Sequence, residues 1–129
     1  MGARRSIDIE GFNHGQLPIP AASRVGPLLE TGGIHGMDPA TGRLPEDVQQ
    51  QTKQMFENLG RIMAAAGGDI EHVARLTVFV AVPEAMAAVN EEWLRVFPDP
   101  ASRPARRVVT ECKLPGMMVV QCEATAWIG

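Results

Sequence analysis

The chain has 129 residues and a formal charge of −3, with 45% hydrophobic and 21% charged residues. That length suits a single domain able to bury about two thirds of the surface its unfolded chain exposes, so residues 1–129 are read as one unit. The weak negative charge offers no general attraction for nucleic acid, and no apolar run approaches the roughly 20 residues that span a bilayer.

Met1-Gly-Ala-Arg-Arg-Ser-Ile-Asp8 lacks the apolar stretch of a secretory signal, which makes the cytoplasm the expected address. Ile7-Asp-Ile9 reads as a short edge strand, and Gly11 to Ala22, with little periodicity, as a loop. Ser23-Arg-Val25 and Leu28-Leu-Glu-Thr31 read as strands joined through the turn chemistry of Gly26-Pro27. Gly32-Gly33-Ile-His-Gly36 breaks the second of them, and Asp38-Pro-Ala-Thr-Gly42 forms a turn. A helix is predicted from Pro45 to Ala66, its apolar positions Val48, Met55, Leu59, Ile62, Met63 and Ala66 keeping helical spacing. Gly67-Gly68 ends it, and the glutamines Gln49 to Gln51 are read as a solvated face. Ala74 to Val82, rich in β-branched residues, should be a buried strand. Pro83 starts a second helix running to Phe97, with Met86, Val89, Trp93 and Phe97 on one side, and Pro98-Asp-Pro100 stops it.

Arg103 to Glu111 and Met118 to Ala126 read as two further strands, with Leu114-Pro-Gly116 as the turn of a hairpin. That pairing sets Arg106 opposite Glu123 on one face, and Glu123 interrupts an otherwise apolar stripe. A guanidinium beside a carboxylate outlines a small site for an anionic substrate. On residue type alone, a cross-strand salt bridge is the better explanation of the pair. Mixed strands with two amphipathic helices predict an α+β sandwich, both helices covering one face of the sheet. The other face, expected to be apolar, would then pack against further subunits.

Remaining chemistry-bearing residues are sparse. Cys112 and Cys122 are not cross-strand partners in this reading, and no CxxC pair or histidine cluster indicates a metal. There is no tyrosine, so no phenol is available as a catalytic acid. His14 and His35 flank a plausible cleft, whereas His72 follows the first helix. Arg103 and Arg107 lack neighbouring aromatic residues for base stacking and are read as solvated or interface residues.

Across nearly its whole length the chain resembles the YjgF/RidA (Rid) family. The resemblance rests on Thr31-Gly-Gly-Ile-His-Gly36, Asp38-Pro-Ala-Thr-Gly42, Pro45, Gln51, Phe56-Glu-Asn58-Leu, Ala65-Ala-Gly67, Val78, Val89-Asn90, Phe97-Pro98, Arg103-Pro-Ala-Arg106 and Cys122-Glu123-Ala-Thr-Ala126, in that order. It implies a chorismate-mutase-like fold, a homotrimer with clefts between subunits, and cofactor-free hydrolysis of reactive enamines and imines to ketoacids and ammonia. By the same resemblance, Arg106 grips a substrate carboxylate and Glu123 holds the hydrolytic water. Thr31 keeps a hydroxyl beside the substrate, Gly32 and Gly33 present backbone donors, and Asn90 matches a Val-Asn pair of the second helix. Two departures point to a remodelled pocket. Leu17-Pro-Ile-Pro-Ala-Ala22 stands where deaminating members have Gly-Pro-Tyr, and Val108 where a cysteine is common. Such a pocket leaves a deaminase of larger, 2-aminomuconate-like acids as an alternative, and a non-catalytic trimer binding small carboxylates as another. The family has also been associated with ribonuclease activity, for which these residues give no support.

Overall fold

The computed structural model describes residues 3–129. Strands β1 (Arg5–Ile7), β2 (Ala22–Val25) and β3 (Leu28–Thr31) precede helix α1 (Val48–Ala65). Strand β4 (Val73–Val80), helix α2 (Pro83–Val96), and strands β5 (Ala105–Val109) and β6 (Val120–Trp127) complete the chain. One six-stranded sheet is formed in the order β1-β2-β3-β6-β4-β5. All neighbours are antiparallel except β4 and β5, which run parallel.

That parallel pair overturns the expected hairpin. Strand β6 pairs with β4, not with β5, so β4 lies between the two segments that were to face each other. The physical reason is the crossover through α2, which returns the chain in the direction of β4 and leaves β5 as the outer strand. Residues 110–119 then carry the chain back across to the opposite edge of β4. Exposed Ala105, Arg106 and Arg107 are the charged, poorly covered sequence of an edge strand. The burial of β6 alternates instead: Val120, Cys122, Ala124 and Ala126 are buried, while Gln121, Glu123, Thr125 and Trp127 turn the other way. Glu123 therefore belongs to a polar row and does not interrupt the apolar one.

The crossovers from β3 to β4 through α1, and from β4 to β5 through α2, advance in one direction across the sheet. Connections of a single hand put both helices on the same face. Leu29, Leu76, Val78, Val120 and Cys122 pack there against Met55, Leu59, Ile62 and Met63 of α1 and Val89 of α2. Helix α1 starts at Val48, three residues later than expected, because Asp47 caps it: its Oδ2 accepts from the Gln50 amide at 2.9 Å. Its end is a Schellman turn, Gly67 at φ +90° and the Gly68 amide donating to Met63 O at 2.9 Å.

Gln51 departs from the solvated-face reading. It has 0% exposure; its Nε2 donates to Pro45 O and Met117 O, and its Oε1 accepts from the Val119 amide at 2.7 Å. One side chain thereby ties the start of α1 to the segment leading into β6. The uncovered sheet face is mixed, not the apolar face expected. Register places Glu30, Thr125 and Arg75 in one row and Glu123, Thr77 and Arg107 in the next, with exposed Leu28 and Trp127 at one end.

Candidate functional site

The ladder between β3 and β6 runs through Leu28–Trp127, Leu29–Ala126 and Glu30–Thr125, then resumes at the bridge between Ile34 and Cys122. Thr31, Gly32 and Gly33 thus stand against only Glu123 and Ala124, and the extra residue bulges away from the sheet. The hydroxyl of Thr31 repairs the interrupted ladder. It accepts from the Ala124 amide at 2.9 Å and donates to Gly32 O at 2.8 Å. The Gly32 amide donates to Ala21 O, and Gly33 O accepts from Nε2 of His14 at 2.6 Å. A Cβ on Gly33 would lie 2.7 Å from the Gln121 side chain, so glycine fits without displacing it. The bulge is held on one side while the Gly33 amide makes no hydrogen bond among the described residues.

Behind the bulge, Phe12 stacks on His35 with ring centroids 4.5 Å apart and meets His14 edge-on. Nε2 of His35 donates to Asn13 O at 2.9 Å, and its Nδ1 accepts from the Met37 amide at 3.3 Å, an arrangement only the neutral ring allows. Burial lowers the pKa of His35 below its ordinary value; the Asn13 bond partly offsets this, and His14 adds to it. Both histidines clamp the loop. His72 instead closes a capping box with Asp69.

Glu123 opens into a cavity of about 430 Å³ whose lining includes Glu30, Thr31, Arg75, Thr77 and Arg107. Among the described residues its carboxylate has neither hydrogen bond nor ion pair; Glu30 accepts from Thr125 Oγ1 at 2.7 Å. Cys122, next in the chain, is fully buried. Its thiol pKa is pushed far up, first by desolvation and then by the charge of Glu123, which removes it as a nucleophile. Cys112 is also a free thiol.

Arg106 lies elsewhere. In register with Leu76 and Ala124, it projects to the helix side of the sheet, and its guanidinium carbon sits 4.9 Å from the ring centroid of Trp93. Asn90, exposed on α2, is three residues before Trp93 and shares its helix face. The expected site residues therefore fall into two groups. Thr31, Gly32, Gly33 and Glu123 gather at the bulge, whereas Arg106 and Asn90 belong to the opposite face at the β5 edge. Two strand spacings, about 10 Å, and the sheet itself separate Arg106 from Glu123 within one chain. Thr77, Arg75 and Arg107 share the cavity with Glu123 and were missed. Their signal was the alternation of β4 and β5, which becomes readable only once the strand order is known. Arg103, by contrast, is structural: its Nε donates to Phe97 O at 2.9 Å. No three His, Cys, Asp or Glu side chains among the described residues group as metal ligands, and no described helix is long and apolar enough to cross a membrane.

Fold and site define an α+β protein whose mixed sheet carries a charged, bulge-lined cavity, with two glutamates and two arginines, on its uncovered face. The profile of the family described as Endoribonuclease L-PSP matches residues 18–128. The chain belongs to this family, which is also called YjgF/RidA. A RutC family protein of Pasteurella multocida is 35% identical over 111 residues, covering 84% of this chain and 86% of the relative. The chloroplastic Reactive Intermediate Deaminase A of Arabidopsis thaliana is 32% identical over 84% of this chain and 58% of its own length. The crystal structure of RidA from an Antarctic Psychrobacter superposes with a TM-score of 0.86 at 30% identity, covering 96% of this chain and 99% of that one. Escherichia coli TdcF, solved with bound serine, gives a TM-score of 0.87 at 27% identity, with 97% and 99% covered.

Proposed function

We propose that this protein is a cofactor-free deaminase that hydrolyses small carboxylate-bearing enamines and imines to a ketoacid and ammonia. It acts as a cytoplasmic homotrimer with its clefts at the subunit boundaries. The observation that carries the reading is a charged pair left without a partner inside the chain. Arg106 and Glu123 are both exposed, neither makes an ion pair with a described residue, and they occupy opposite faces of one sheet. A single substrate meets both only when one copy supplies Glu123 and its neighbour supplies Arg106. A relative named as a reactive intermediate deaminase, and a structural neighbour holding serine, an amino-acid carboxylate, support the same direction.

Each residue then has a defined task. Arg106 binds the substrate carboxylate through the in-plane edge of its guanidinium, fixing the imine carbon over the bulge. The Gly33 amide adds a donor already oriented by the bonds to Thr31 and His14. Glu123 takes a proton from a water as the water oxygen bonds to the imine carbon, giving a carbinolamine. The proton passes to nitrogen, the C–N bond breaks, ammonia leaves and the carbonyl forms. No electron is gained or lost overall, and an iminium carbon is electrophilic enough that positioning carries much of the rate. Ammonia release from freshly generated 2-aminoacrylate tests the reading. Arg106→Ala should abolish it, and Arg106→Lys should restore little because an ammonium cannot bind two oxygens in parallel. Full activity in Arg106→Ala would overturn the assignment.

A further inference from the structure

The cavity beside Glu123 contains more positive charge than that mechanism uses. Glu123, Thr77 and Arg107 are partners in register on β6, β4 and β5, so all three project to the uncovered face. Arg75, two residues before Thr77, projects to the same face between Thr125 and Ala105. Its partner Ala105 is small, and Arg75 and Arg107 are diagonal neighbours on β4 and β5 that both line the cavity.

These two arginines differ from the others that have assigned contacts. Arg24 and Arg103 bind backbone carbonyls, Arg61 binds Asn58 and a carbonyl, and Arg95 pairs with Glu92. Arg75 and Arg107 have no hydrogen bond and no ion pair among the described residues, although Glu30 and Glu123 line the same cavity. Two adjacent guanidiniums repel unless an anion lies between them, and their planar N–H edges match a carboxylate. The Cα atoms of Glu123 and Arg107 stand two strand spacings apart, about 10 Å. The cavity that both side chains line, about 430 Å³, is large enough for a short dicarboxylate.

We infer that Arg107 and Arg75 form a second carboxylate subsite in the Glu123 cavity, so that the favoured substrates are imines or enamines carrying two carboxylates. This rests on the deaminase reading: the carboxylate next to the reacting carbon goes to Arg106 of the neighbouring copy, and the distal one to Arg107 and Arg75. Arg107 is then a specificity-determining residue, and monocarboxylic substrates use only half of the available charge.

The test compares the affinities of two stable ketoacids for the assembled protein, by calorimetry: five-carbon, dicarboxylic 2-oxoglutarate and monocarboxylic 2-oxobutyrate. The wild type should bind the dicarboxylate about 10-fold tighter or more, as expected for an added charge-assisted pair. Arg107→Ala should bring that ratio close to one, and Arg107→Lys should keep part of it. Equal affinities in the wild type would overturn the inference while leaving the deaminase reading intact, provided 2-aminoacrylate is still hydrolysed. A ratio that survives Arg107→Ala would do the same. So would loss of assembly in Arg107→Ala while Arg75→Ala assembles with its ratio intact, since the arginines would then be pairing with another copy. Absence of binding for both ketoacids, with no ammonia release, would remove both readings together.

Discussion

The most direct consequence of placing Arg106 and Glu123 on opposite faces is that two inactive variants should rescue each other. Arg106→Ala removes the proposed carboxylate anchor and keeps Glu123; Glu123→Gln removes the proposed proton-transfer group and keeps Arg106. Each alone should lose roughly 10²-fold or more of the hydrolysis rate. When equal amounts of the two exchange subunits at random, a boundary is competent under one condition. The chain supplying Glu123 must be Arg106→Ala, and the chain supplying Arg106 must be Glu123→Gln. Each condition has a chance of one half, so about one quarter of the boundaries, and about one quarter of wild-type activity, should return whatever number of copies closes the ring. Co-expression in equal amounts, followed by ammonia release from 2-aminoacrylate, measures this; two affinity tags then select the mixed assemblies, in which one boundary of three should be competent if the ring is the proposed trimer. A doubly tagged assembly no more active than its parents would show that one chain supplies both groups. Arg106 would then have to leave Trp93 and swing around the β5 edge.

Gln51→Leu should destabilise the protein by about 2–4 kcal/mol. It strands the Val119 amide and deprives Pro45 O and Met117 O of a donor, and the urea midpoint at fixed protomer concentration reads the loss; a change under about 1 kcal/mol would refute it. His35 gives a pH signature. Because its folded pKa is lowered from 6.5, the unfolded chain takes up the proton more readily, so its contribution is complete above about pH 6.5 and lost as pH falls below that. A His35→Gln variant should flatten the fall in melting temperature between about pH 6.5 and 5, and parallel curves for the two proteins would contradict it.

Local structure was largely legible. Helical spacing of Val48, Met55, Leu59 and Ile62, with Gly67-Gly68 beyond them, defines α1 because periodicity and capping act within a few residues. Strand order was not, because hydrogen bonds between strands leave no local trace in sequence. Val108-Val109 and Val119-Val120 suit a hairpin as well as two strands flanking β4. The discriminating sign was compositional: two consecutive arginines fit an outer strand better than the inner partner of a hairpin. Gln51 was misread by its polarity, although it lies three residues from Val48 and four from Met55, on the buried stripe. Arg106 and Glu123 were legible as residues. Their separation was not, since strand order and register decide which face each side chain takes, and a two-strand reading missed the strand between them.

The two groups share a design that explains why they can wait apart. Arg106 is held with its guanidinium carbon over the Trp93 ring, and its N–H groups make no hydrogen bond or ion pair among the described residues. The bulge is held through Thr31 Oγ1, Gly32 N and Gly33 O, which leaves the Gly33 amide unoccupied. In both cases the group is fixed through other atoms than those the proposed mechanism uses, so on that reading neither has to reorganise when substrate arrives. Such preorganisation carries a cost in an isolated chain, because unpaired charges and apolar residues such as Leu28 and Trp127 stay exposed on the uncovered face. Association of copies, as proposed, would cover that face and complete the site in one step. On that proposal a single chain carries two half-sites, and neither completes the reaction with the other half of its own chain.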